Sequence, residues 1–133
     1  MKIFLITYVL AVITFSAFFF QDSDLEKSMQ RGSEIYIDFC ITCHLSKGEG
    51  VEHTFPPLAK SDYLIKNREA SIRGVKYGQQ GEIIINGVTY NSAMPSPGLE
   101  DEEVADVMNY ILNSWGNSAD KMVSLKEVRG IQK

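Results

Sequence analysis

Positive charge is in short supply in this chain. Its 13 Lys and Arg face 17 Asp and Glu, a formal net charge of −4. No surplus of cations exists to displace counterions from a phosphate backbone, which argues against nucleic acid as a partner. Cysteine is nearly absent; Cys40 and Cys43 are the only two. Internal repeats and low-complexity stretches are missing. The 133 residues suit one small domain with a thin core, and such domains often need a staple or a cofactor.

Long apolar runs are also missing, with one exception. "MKIFLITYVLAVITFSAFFF" carries Lys2 and then no charge before Asp22. A buried core helix needs no such unbroken strip, and a surface helix would show a polar face. Residues 1–20 therefore predict a signal peptide or an N-terminal membrane anchor. An A-x-A cleavage site is lacking, and the run from Ile3 to Phe20 is near the lower length for a membrane-spanning helix. Both readings export the domain, residues 21–133. Without residues 1–20, 12 basic side chains face 17 acidic ones, a net charge of −5.

Apolar residues from Leu25 to Phe39 recur at spacings of three and four and predict an amphipathic helix. Gly48, Gly50, Pro56 and Pro57 mark residues 46–60 as an irregular loop. Ser61 is a plausible N-cap for a short helix over "SDYLIKN", and "REASIRGVKYG" predicts another ending near Gly78. "EIIINGVTY" has two β-favouring runs around Asn86-Gly87, a hairpin signal. Val104, Val107, Met108, Ile111, Leu112 and Trp115 form one stripe, predicting a helix over 100–115 closed by Gly116-Asn117. Its acidic start complements the helix dipole. "VSLKEVRGI" adds a short final turn.

"YIDFCITCHLSKGEG" carries the chemistry. A thioredoxin-like disulfide motif belongs after a strand in a βαβ unit, yet here a helix precedes it and no strand–helix alternation follows. Structural zinc wants four tetrahedral ligands, and Cys40, Cys43, His44 and His53 lack finger or ribbon spacing. C-x-x-C-H is the attachment signature of c-type haem. Two thiols add to the porphyrin vinyls, and the next residue offers its imidazole to iron.

Haem held by histidine and a thioether favours reduced iron. Met94, fifty residues after His44 in the loop "NSAMPSP", is the candidate sixth ligand, with Pro95 stiffening the backbone beside it. Met108 falls on the apolar stripe, Met122 lies in the tail, and Met29 precedes the motif. His53 is nine residues from His44, too close to reach the other haem face.

With these residues in hand, the chain resembles a class I c-type cytochrome from about residue 25 onward. Gly32 and Tyr36 stand eight and four residues before Cys40, with Val107 and Tyr110 as partner positions. Gly81, Tyr90, Met94 and Pro95 add to the likeness; Glu100 departs from it, standing where the family usually has Ser or Thr. The resemblance implies an all-α fold, with N- and C-terminal helices crossing around one covalent haem c and a small β-hairpin near the methionine loop. It implies that Gly32 and Tyr36 pack against the last helix. It implies further that the Pro56 carbonyl accepts the free ring N–H of His44. Cofactor-binding residues are then Cys40, Cys43, His44, Met94 and Pro56, with His44 and Met94 on iron.

The expected role is an exported monohaem carrier that shuttles single electrons between redox partners, with no catalysis of its own. Partners would be a dehydrogenase, a reductase or an oxidase. Two alternatives stay open: a haem subunit fixed in a periplasmic oxidoreductase complex, and a haem enzyme or sensor with open iron. Tyr63, Tyr77, Tyr90 and Trp115 are each either crevice residues or ordinary filling.

Overall fold

The computed structural model describes residues 24–133. The segment expected to be a signal or an anchor, residues 1–20, lies outside the described residues. Among the described residues, no helix is long and apolar enough to cross a membrane.

Helix α1 occupies 24–39. Its buried positions are Ser28, Gly32 and Tyr36, which step by four along one face. That face meets α5 (Asp101–Leu112). The helices touch backbone to backbone at Gly32: a Cβ there would lie 2.1 Å from the Asp106 carbonyl oxygen and 2.9 Å from Tyr110 Cβ. No residue larger than glycine fits such a crossing. Phe39, expected on this buried stripe, is 54% exposed. The stripe's next step of four falls on Cys40, so Phe39 turns outward.

A polar network reinforces the crossing. The Asp106 carboxylate accepts from Ser28 Oγ at 2.6 Å and from Arg31 Nε and Nη2 at 2.5 and 2.7 Å. Asn109 Nδ2 donates to Ser28 Oγ and to the Val123 carbonyl. Its Oδ1 accepts from Val123 N–H at 2.6 Å. The buried polar groups of α5 are therefore partnered, as burial requires.

Between α1 and α5 lie α2 (Ile41–His44), α3 (Asp62–Lys66) and α4 (Arg68–Tyr77). Ser61 caps α3, accepting from Leu64 N–H. Strands β1 (Ile83–Ile85) and β2 (Val88–Tyr90) pair antiparallel, Ile83 opposite Tyr90. Asn86 and Gly87 both take positive φ, 53° and 81°, as a two-residue I′ turn demands. The turn is tied to α3: Asn86 N–H donates to the Asp62 carboxylate at 2.8 Å, and Asp62 N–H to Asn86 Oδ1 at 3.0 Å.

Helix α5 is shorter than the stripe predicts. It ends at Leu112, with Asn113 as C-cap rather than Gly116-Asn117. Trp115 leaves the helix, at φ 53°. Its ring turns onto Tyr36 and Tyr110, with centroids at 5.0 and 5.3 Å, and those aromatic contacts replace a further helical turn. The acidic start does more than complement the dipole: Glu103 accepts from Glu100 N–H at 2.9 Å, as in a capping box. Helix α6 (Leu125–Gly130) packs on α5 through the fully buried Val128. The all-α expectation with one small hairpin holds.

Candidate functional site

The expected attachment motif closes α1. Cys40 N–H still donates to the Tyr36 carbonyl at 2.9 Å, and His44 N–H to the Cys40 carbonyl at 3.0 Å. The chain then leaves the helix at Leu45, whose φ is 62°. This geometry turns both thiols and the imidazole to one cavity. The cavity holds about 960 Å³ of open space, its mouth included. Cys40, Cys43, His44, Pro56 and Met94 all line it. Leu58, Leu64, Val75, Ile83 and Ile111 contribute apolar wall.

His44 is buried, and its Nδ1 lies 2.9 Å from the Pro56 carbonyl oxygen. A carbonyl only accepts, so Nδ1 carries the proton and Nε2 keeps a free lone pair. Burial lowers the imidazole pKa, and the Pro56 bond opposes that shift. Cys40 and Cys43 are free and half-buried. Burial, with the neighbouring Cys43, pushes the Cys40 thiol up to about 11.

Gly50 passes close behind Pro56. Gly50 N–H donates to the His44 carbonyl at 3.0 Å. A Cβ on Gly50 would lie 2.7 Å from the Pro56 carbonyl oxygen. Only a bare Cα lets the loop return so close to the histidine's acceptor. The sequence signalled Gly50 as loop punctuation and nothing more.

Met94 is half-buried at the cavity wall, and its backbone pairs with Gln79, N–H to carbonyl in both directions at 2.8 Å. Met108 is fully buried as expected for helix core, yet it also lines the cavity. His53 is 72% exposed, beside Glu52 and away from the cavity. Met29 and Met122 are not in the cavity wall. Tyr63 and Tyr90 line it; Tyr77 instead donates to the Ile131 carbonyl, and Trp115 joins the Tyr36 cluster.

The donor set fits a porphyrin held through thiols: two free Cys, an imidazole with one nitrogen engaged and one available, a thioether, and a dry wall. A helical frame crossed at Gly32 around such a cavity defines a class of protein, the small haem carrier domain. Comparisons agree. The cytochrome c family model matches residues 29–115. Cytochrome c-552 of Thermus thermophilus is 39% identical over 106 residues, 76% of this chain and 75% of that one. The cytochrome c subunit of the quinone alcohol dehydrogenase of Gluconobacter oxydans is 34% identical over 76% of this chain, but only 22% of its own. The cytochrome c subunit of gluconate 2-dehydrogenase of Pantoea cypripedii is 31% identical over 86% of this chain and 28% of its own. The chain belongs to the cytochrome c family. It is an electron-transfer haem cytochrome, and its cofactor is covalently bound haem c.

Proposed function

We propose that Cys40 and Cys43 would carry the haem through thioethers, that His44 Nε2 and the Met94 thioether would hold its iron, and that Pro56 orients the imidazole. One observation carries this reading: both thiols, Met94 and a His44 already engaged through Nδ1 share one apolar cavity. When bound, the haem supplies a reversible one-electron change at iron. Pro56 fixes the ring and raises its basicity. The Met94 sulfur favours the reduced state. The apolar wall excludes water. With His44 and Met94 both holding the iron, no position on it would remain for a substrate, so the chain would pass electrons rather than catalyse a reaction itself.

Relatives named as dehydrogenase cytochrome c subunits support a dehydrogenase as one redox partner. A reductase or an oxidase would accept the electron. The domain, residues 21–133, would work in the periplasm or on the outer face of the cytoplasmic membrane, with residues 1–20 as cleaved signal or retained anchor. The same relatives favour a second reading, in which the domain is a fixed subunit of an oxidoreductase complex. The mass of the mature protein from its host tests the proposal, since it reports covalent haem and cleavage together. Haem lost on acid-acetone extraction would sink the thioether assignment. Holoprotein found free in the cytoplasm would sink the export assignment.

A further inference from the structure

The loop that carries Met94 has little burial of its own. Residues 91–93, 95 and 96 are exposed. Its support comes from the end of α4. Gly78 closes that helix at φ 88° and ψ 166°, its N–H donating to the Gly74 carbonyl. The next residue, Gln79, exchanges two backbone hydrogen bonds with Met94, both 2.8 Å. On the other side Ser96 Oγ donates to the Lys76 carbonyl at 2.9 Å. Gly78 lies between these ties. A Cβ on it would lie 2.8 Å from Met94 O, 3.0 Å from Ser96 N and 3.3 Å from the Pro95 carbonyl carbon. All three are backbone atoms, so no flexible side-chain end can move aside. Helix α4 is a firm base, with Ile72 fully buried and Arg68 paired to Glu127 at 2.7 Å.

We propose that Gly78 is a positioning residue for Met94: its bare Cα seats the ligand loop against the end of α4 and keeps the thioether at the cavity. The proposal rests on Met94 being an axial ligand. Loop opening competes with ligation, and an external ligand measures that competition directly. A residue with a Cβ at 78 pushes the loop outward and weakens the Gln79–Met94 pair.

Gly81 provides the control. It has the same φ of 88°, but nothing lies within 4 Å of a Cβ built there. Gly81→Ala thus places a Cβ at the same positive φ without the contact. Imidazole affinity, the far-red ferric band and urea unfolding are measured on wild-type, Gly78→Ala, Gly81→Ala and Met94→Ala holoproteins. Gly78→Ala is expected to bind imidazole about tenfold more tightly or better, matching the loss of one or two loop hydrogen bonds, and to weaken the band. Gly81→Ala should lower stability and leave both readouts at wild type. Equal imidazole affinity in the two glycine variants overturns the proposal. A Met94→Ala protein with wild-type band and affinity overturns the ligand assignment instead, and the proposal with it. If Gly78→Ala yields no holoprotein, Ser96→Ala removes the bond to the Lys76 carbonyl, together with the long one that Ser96 Oγ accepts from Gly98 N–H at 3.4 Å. Its imidazole affinity should rise severalfold, and an unchanged value counts against the seat.

Discussion

The Tyr36 hydroxyl donates to the Leu45 carbonyl at 2.7 Å, so one side chain bridges the whole Cys40–His44 segment from its helix to its exit. Burial of that phenol raises its pKa, as expected for a hydroxyl that stays protonated and donating. Tyr36→Phe keeps the ring contacts with Tyr110 and Trp115 but leaves the Leu45 carbonyl without its donor. The expected cost is about 1–3 kcal/mol. Urea unfolding of the holoprotein checks it; an unchanged midpoint would show that water replaces the bond.

Gly32 tests the helix crossing. Gly32→Ala puts a methyl into the Asp106 backbone, which cannot yield without moving α5. A loss of about 3 kcal/mol or more is expected, at the top of the overpacking range. Gly130→Ala is the contrast, since nothing lies within 4 Å of its added Cβ. Its effect should stay within about 1 kcal/mol, and a stabilisation is admissible. Equal losses at the two sites would contradict the close approach.

Met94 and Met108 now line the same cavity, which sharpens the choice between them. Met94→Ala should abolish the far-red ferric band and lower the potential, because the thioether's preference for reduced iron is lost. Met108→Leu conserves volume, should cost under about 1.5 kcal/mol and should leave the band in place. The reverse pattern would move the ligand onto α5. Absorption spectra and redox titration read both variants.

Glu127 carries a pH-dependent part of the stability. Arg68 donates to it through Nε at 2.7 Å and Nη2 at 3.0 Å, and holds its carboxyl below the usual 4.5. A depressed folded pKa stabilises above the unfolded value and loses that contribution as pH falls through the folded one. The wild-type urea midpoint should therefore drop between about pH 6 and about pH 3 more than that of Glu127→Gln. Parallel curves for the two proteins would mean that the α4–α6 pair contributes nothing measurable.

Periodicity made most helices legible, because their burial follows simple geometry. The I′ turn was legible for the same kind of reason, since few dipeptides tolerate two positive φ values. Phe39 and Trp115 were misplaced by that logic. Each lies at the end of a stripe: for Phe39 the four-residue step passes to Cys40 instead, and for Trp115 the contacts with Tyr36 and Tyr110 decide direction. The five residues proposed to hold the cofactor, chosen from the C-x-x-C-H spacing, the methionine loop and the family resemblance, line one cavity. Their supports were not legible: the Ser28–Asp106–Asn109 network, the Gly50 approach to Pro56 and the Gln79–Met94 pair join positions that no local pattern connects. Asp106 and Asn109 in particular read as surface residues of an amphipathic helix until α1 and the Val123 segment are folded onto them.

The Arg31–Asp106 contact spans 75 residues of sequence. Helix α1 is therefore without its partner until nearly the whole domain has been synthesised. Cys40 and Cys43 emerge long before α5, on a chain that has nothing to close over them. Closing so long a loop is also entropically slow to repay. The order of assembly follows: Cys40 and Cys43 stay accessible until α5 docks on α1, and only then do Met108 and Ile111 close their side of the compartment.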